Sequence, residues 1–416
     1  MNRPLLLAAG GFCCFGVFWG SWAVSTTDIE RFTGLSNAGI GILLSASIAV
    51  GGLVAAGAGG PMARIGAGRM LPALLLPWGV CATAAALVPG RTAFVAIFAL
   101  TIACAGLVDM AMNTVATISL GGEPGGMVRF HSLFNAGTLL GAGLVAGFVA
   151  GKFSWRWTWL VVGVGALALA VVAFAWQRST EKERIKSEDE RAELTTGHEP
   201  SLAEPPLTPS VGPKEGSMLH SFAAIGKEGL VVLAATFAVT AVVEGGIDTW
   251  GVLYLRTRLA TGVLLGAGAY AVGQLIAAMT RATGAPLLSR LGHRHGLVLG
   301  SGLAAVGLAA EAISSNAALA ACALAVAAGG ISLCWPLTMA RLASISDAGS
   351  ADHHVRTTAL VGGFTAAGYF GWLLGPAVVG TVSDHAGLRA GLLLLAGLSA
   401  AACATLAGIQ PRAAAR

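Results

Sequence analysis

Gly59-Gly60-Pro61-Met62-Ala63-Arg64-Ile65-Gly66-Ala67-Gly68-Arg69 is the stretch that decides the fold, because a similar string returns as Pro286-Leu287-Leu288-Ser289-Arg290-Leu291-Gly292-His293-Arg294. Arg64 and Arg290 match at a spacing of 226 residues. Further along, Gly137-Thr138-Leu139-Leu140-Gly141-Ala142 parallels Gly371-Trp372-Leu373-Leu374-Gly375-Pro376 at a spacing of 234. Two strings repeating at nearly one spacing describe a chain of two related halves. Each string is flanked by apolar runs near residues 5–24, 36–58, 71–88, 93–118, 131–151 and 158–176, then 229–250, 262–283, 296–313, 317–340, 358–382 and 387–408. Each run has about the 20 residues that a bilayer-spanning helix needs. The expected fold is an all-α membrane protein with 12 transmembrane helices in two six-helix repeats.

Composition agrees. Of 416 residues, 55% are hydrophobic and 11% charged, with a mean hydropathy of +0.76. A soluble domain runs near 25% charged, and a transmembrane barrel alternates polar and apolar residues along its strands. The net charge of +5 forms no basic face, so nucleic acid is not an expected partner. The seven cysteines, Cys13, Cys14, Cys81, Cys104, Cys322, Cys334 and Cys403, lie in apolar runs without metal-ligand spacing and read as packing residues. The glycines around Pro124 lack the Lys-Ser/Thr of a phosphate loop. No cofactor or metal is expected.

The domains expected are an N-terminal half (1–176), a linker (177–228) and a C-terminal half (229–416), the linker being set apart by charge between Arg178 and Arg191 and by prolines between Pro200 and Pro213. With both termini cytoplasmic, 18 basic residues fall inside and 7 outside, which satisfies the positive-inside rule. Arginine outnumbers lysine 20 to 5, pointing to GC-rich coding and a bacterial inner membrane. A functional monomer in contact with membrane lipid is expected.

The loop Gly59 to Gly66 resembles the G-x-x-x-[D]-R-x-G signature of the major facilitator superfamily, whose two halves hold solute between them near the bilayer midplane. The signature's acidic residue is Ala63 here and Ser289 in the second copy, so a gate latch built on that carboxylate is not expected. Arg64, Arg69, Arg129 and Arg290 are the cytoplasmic gate candidates and can dock on the carbonyls at helix C-termini. More specific are Gly106 to Asn113, Phe130 to Asn135, Glu244 to Trp250 and Gly368 to Pro376. These segments resemble the fucose/proton symporter branch and its relatives of unassigned substrate. That resemblance implies proton coupling at Asp109, a cavity position for Asn135, and, through a two-residue gap, a second coupling carboxylate at Asp28.

Asp109 falls well inside the hydrocarbon, where an ionised aspartate costs about 2.5 to 3.5 kcal/mol on insertion scales. It is a proton carrier or the permanent partner of Arg64, Arg69 or Arg129. Asn113, one turn on, serves substrate or a neighbouring helix. Glu244 and Asp248 are also one turn apart and suit a cation, a proton or a substrate hydroxyl. Their other reading is that Asp248 ends its helix while Glu244 pairs with a basic residue. Among the intramembrane aromatics, Trp19, Trp22 and Tyr369 are substrate-cavity candidates, since such rings offer a flat apolar face at low entropy cost.

The expected function is secondary active transport by alternating access, as proton-coupled uptake of a small polar, sugar-like solute. The alternative is proton-antiport export of an amphipathic metabolite or drug. A pattern G-x-x-x-G-P associated with exporters has Ala142 in place of its proline in the fifth helix, which favours uptake. A non-transporting solute receptor is the remote third reading, since no output module follows the repeats.

Overall fold

The structure is a computed structural model that describes residues 3–120, 124–195, 223, 225–283, 285–345 and 353–409. Its first half comprises α1 (Arg3–Thr33), α2 (Asn37–Ile65), α3 (Ala67–Leu87), α4 (Arg91–Ser119), α5 (Pro124–Ala150) and α6 (Arg156–Thr195). The second comprises α7 (Val231–Gly246), a π-helical turn (Ile247–Gly251), α8 (Val252–Arg258), α9 (Val263–Thr283), α10 (Ala285–Ile313), α11 (Ala317–Ile331), α12 (Cys334–Ile345), α13 (His353–Ala386) and α14 (Leu388–Gly408). Among the described residues eleven stretches are long and apolar enough to span a bilayer, and the shorter apolar helix Val263–Met279 completes twelve. The bundle has a near end, where α1 and α7 begin and α6 and α14 end, and a far end opposite.

Several helices outrun their apolar runs, α1 and α6 among them. Past residue 24, α1 continues to Thr33, its hydroxyls satisfied within the helix: Ser25 donates to the Ser21 carbonyl at 2.6 Å, Thr26 to Trp22 at 2.7 Å and Thr33 to Ile29 at 2.7 Å. Such residues then stay helical at little cost. At its other end α6 runs on to Thr195, through what the charge pattern assigns to a flexible linker. Arg184 and Glu188, like Lys186 and Glu190, stand four apart, and neither Pro nor Gly intervenes before Gly197. Spacing of that kind supports a solvated helix.

The repeated glycine strings explain themselves in the packing of each half. A Cβ on Gly137 or Gly141 of α5 would overlap the carbonyl oxygen of Cys13 or Val17 on α1, and one on Gly16 or Gly20 would overlap that of Phe134 or Thr138. In the second half a Cβ on Gly371 of α13 would overlap the Ala238 carbonyl of α7, and one on Gly375 would stand 3.3 Å from Val242. Backbones at that range gain dispersion contacts that lipid cannot match, as in small-xxx-small membrane helix pairs.

The repeated loops match as well. Gly66 has φ +93° and Gly292 φ +73°, each two residues after its arginine. Only glycine adopts such values without strain. Gly66→Ala is therefore expected to lower the thermal midpoint in detergent through about 1 to 3 kcal/mol of backbone strain. Gly52→Ala, on a regular helix with open space around it, serves as the control and should leave the midpoint unchanged or raised.

At the far end the two halves lock together. Arg256 on α8 donates to both carboxylate oxygens of Asp28 on α1, at 2.7 and 3.3 Å, and to the Val24 carbonyl at 2.8 Å. Asp384 on α13 accepts from the Asn37 side chain and the Ala38 amide, both at 3.0 Å, placing a carboxylate at the N-terminus of α2, where the helix dipole favours it. Gly41 and Gly380 allow this approach, each facing a backbone carbonyl of the other half, Pro376 and Asn37 respectively.

Candidate functional site

A cavity lies between the halves. It is lined by Phe134 and Asn135 from α5, by Glu244, Ile247 and Asp248 around the π turn, by Gln274 and Ala277 from α9, and by Ala328, Ile331, Ser332 and Trp372. About 40 Å³ is open to the centres of water-sized spheres, room for about three waters. A sugar needs more, so solute binding requires the halves to part around this space.

The polar lining is linked. Asn135, buried at 2% exposure, donates to the Gln274 side-chain oxygen at 3.5 Å, and Gln274 donates to Asp248 at 3.4 Å. Tyr270, also on α9 and buried, hydrogen-bonds with Asp248 and Gln274. The chain of amides thus crosses from the first half to a carboxylate of the second.

Asp248 lies where span seven departs from a regular helix. Between Ile247 and Gly251 the backbone widens into a π turn, a feature frequent at functional sites. Three glycines frame it: a Cβ on Gly246 would crowd Leu395 and one on Gly251 would crowd Leu324, while Gly245 lies in ordinary contact range of Trp372. Glu244 and Asp248 both line the cavity, though the register between them is no longer that of a regular α-helix.

A second cross-half contact lies nearer the chain ends. Tyr369 on α13 donates its hydroxyl to Asp109 Oδ2 at 2.5 Å, while the Asn113 amide donates to Asp109 Oδ1 at 2.9 Å. Measured along the helices at 1.5 Å per residue, Asp109 is about 27 Å from the far end of α4, Glu244 about 21 Å from that of span seven and Asp248 about 15 Å. The cavity therefore sits between the far-end lock and the Asp109–Tyr369 bond. Tyr369 is 49% exposed, so the bond borders open space. Among the described residues the partners of Asp109 are neutral, which removes the reading of a fixed ion pair with Arg69 or Arg129; the side chain of Arg64 lies outside the described residues.

The remaining candidates separate. Trp19 stands edge-to-face with cavity-lining Trp372, ring centroids 6.0 Å apart. Trp22, in contrast, is 1% exposed and stacks on Phe98 of α4 at 4.9 Å. It packs the first half and does not reach the cavity. Asp28 is also away from the cavity, in the far-end pair with Arg256. Arg69 and Arg129 are exposed near-end residues, and the side chain of Arg290 lies outside the described residues. Arg294, four positions on, donates to the Leu406 carbonyl at the end of α14, as Gln177 of α6 does to Gly68 and Arg69 in the first copy of the loop.

Two six-helix halves, repeated glycine seams and a polar cavity between them are matched in sequence, since residues 7–352 fit the Major Facilitator Superfamily. The chain belongs to this superfamily. It is a multi-pass membrane transporter and not an enzyme. No curated protein matches the chain. Among solved structures it is similar to the nucleoside transporter NupG, with a TM-score of 0.68, 16% identity and 98% of each chain covered. It is similar as well to a bacterial homolog of the human lysosomal transporter Spinster in an inward-facing, unoccupied conformation, with a TM-score of 0.69, 14% identity, and 98% of this chain and 97% of that one covered. At such identities the likeness concerns the fold.

For this facilitator, the sequence reading passes over Gln274, Tyr270 and Ser332. The signal was present for two of them. Tyr270 and Gln274 are hydrogen-bonding side chains one turn apart inside the apolar run from Val263 to Met279, and polar residues in a span face the bundle interior.

Proposed function

We propose that the protein takes up a small polar solute, sugar-like or nucleoside-like, together with protons, binding it in the cavity between the halves. The observation that carries this reading is the Asp109–Tyr369 hydrogen bond on the near side of the cavity. In this arrangement both carboxylate oxygens accept a hydrogen bond, as suits the ionised form. A proton arriving on Oδ2 displaces the Tyr369 donor and weakens the near-side link between the halves. Opening there releases solute and proton, after which ionised Asp109 takes Tyr369 back. A ligand biases the two states only through such differential interaction. Asn135, Gln274, Asp248 and Glu244 offer hydrogen-bonding groups for hydroxyls or ring amides, and Trp372 with Phe134 offers apolar faces. The kinship of fold with a nucleoside transporter adds nucleosides to the sugars suggested by sequence.

The test is counterflow in liposomes with the purified protein against a panel of labelled sugars and nucleosides, repeated with an imposed pH gradient. Accumulation that follows the gradient supports the reading. Exchange of a solute without any response to the gradient would leave a uniporter and remove the proton.

Tyr369→Phe keeps the ring near Trp335, now at 6.4 Å between centroids, and removes only the donor. Hydrogen bonds to charged groups contribute about 1.5 to 3 kcal/mol. The variant is therefore expected to shift the population toward the near-end-open state about tenfold or more, read as faster labelling of a cysteine placed in the cavity from the near side. Unchanged labelling would mean that the bond carries no gating energy.

A further inference from the structure

Glu311 lies close to the far end of α10, 0% exposed, and among the described residues neither of its carboxyl oxygens has a hydrogen-bond partner. Its neighbour Ala312 accepts the Tyr254 hydroxyl of α8 at 2.9 Å. The charged groups that act on Tyr254 alongside Glu311 are Arg258 of α8 and Arg389 at the start of α14. The titratable side chain of α11 is Cys322, which is exposed, and α14 otherwise contributes Cys403, held against Val298 lower on α10. The titratable side chains of α12 are Cys334, buried beside Gly300 in the middle of α10, and Arg341, which stands by His293 toward the near end. Among the described residues no ion pair involves Glu311.

An unpaired ionised carboxylate in such surroundings costs several kcal/mol even after relaxation. A buried carboxyl with no partner is stable as the neutral acid. The seven-residue helix α8 holds Tyr254 against α10 and, two residues on, Arg256 against Asp28 and Val24 of the other half. Tyr254 and Arg256 share one short helix, so a movement of α8 that draws Arg256 from Asp28 while α10 stays in place would also draw Tyr254 from α10 and open the carboxyl to water and to Arg258 and Arg389.

We propose that Glu311 is a proton-binding site, separate from the solute cavity, that keeps its proton while the far end is closed and releases it when α8 swings open. The idea rests on the alternating access proposed above but not on coupling through Asp109. The closed state binds one proton more than the open one, so its advantage is complete at low pH and is lost as pH rises. One proton changes the open-to-closed ratio by up to about tenfold per pH unit.

The test uses the full chain in lipid nanodiscs. Infrared spectra report the carbonyl stretch of a protonated carboxyl, and spin labels at Pro89 and Ser315, in a background without the seven native cysteines, report the far-end distance. At pH 8 the wild type should show the protonated band. Glu311→Gln should lose it, Asp109→Asn should keep it, and Arg256→Ala, which frees the far end, should diminish it. In the distance measurement, Glu311→Gln should flatten the pH dependence by the slope of one proton. If Glu311→Gln does not fold, the wild type and Arg256→Ala decide alone. A wild-type band that is absent, or that persists undiminished with the far end open, overturns the proposal. So does a Glu311→Gln variant that keeps the full wild-type pH slope. Gradient-driven transport retained by Asp109→Asn, with the Glu311 band intact, would instead count against the reading of Asp109.

Discussion

Asp109→Asn is expected to abolish uphill accumulation while sparing counterflow. A symporter moving one proton per solute can accumulate solute about tenfold per unit of imposed pH difference, and the variant should bring that ratio to about one. The amide keeps the volume of the carboxyl, and its oxygen still accepts from Tyr369, so the helices α4 and α13 stay apposed. What it loses is the capacity to exchange that bond for a proton. The near side then opens and closes without reference to the gradient, and labelled solute exchanges freely down its own. Gradient-driven accumulation at wild-type level would remove Asp109 from the coupling path. A protein that no longer folded would return it to a structural role, and a circular dichroism melt in detergent separates the two outcomes.

The halves and their packing were legible because repetition is a property of the string itself. Gly137 and Gly141 announce a close helix contact by their spacing, and the same spacing at Gly371 and Gly375 says that it occurs twice. Asp109 was legible by depth alone, since hydrocarbon makes any intramembrane carboxylate conspicuous. Its partner was not, because Tyr369 lies 260 residues away and meets it only through the angle between the halves. Trp19 and Trp22 show the limit from another side. Three residues apart on one helix, they differ by a fraction of a turn, yet one faces Trp372 across the interface and the other packs on Phe98. Sequence spacing cannot resolve that fraction while helix boundaries move by several residues, as those of α1 did. The π turn at Ile247–Gly251 is a similar case. A helical projection of Glu244 and Asp248 assumes one register, and the glycines that permit another show only that departure is permitted. Proton coupling and the symporter branch rest on side chains that the superfamily match does not discriminate, and they stand or fall with the transport experiments.

Arg256→Ala should shift the far end toward the open state by about 30-fold. The side chains of the pair are 7% exposed for Arg256 and 18% for Asp28, so they are mostly withdrawn from water. Breaking a buried pair costs about 3 to 5 kcal/mol, and residual exposure reduces this to about 2 kcal/mol. The two single variants should differ. With Arg256 gone, Asp28 retains Arg31, at 4.0 Å and mostly solvated, so the remaining charge is partly compensated. With Asp28→Ala, Arg256 keeps only the Val24 carbonyl, a guanidinium withdrawn from water without its anion, and the cost to the closed state is higher. Asp28→Asn should fall between wild type and Asp28→Ala, because an amide oxygen still accepts one of the two bonds. Charge reversal, Asp28→Arg with Arg256→Asp, should recover part of the closed population but not all, since the bond to Val24 is lost. Asp384 at the N-terminus of α2 and the Gly41 and Gly380 contacts remain in every variant, so the lock should weaken and not vanish. Far-end distance distributions from spin labels provide the measurement. Distributions identical in wild type and Arg256→Ala would show that glycine packing alone closes the far end, and the ion pair would then be a passenger of the closed state.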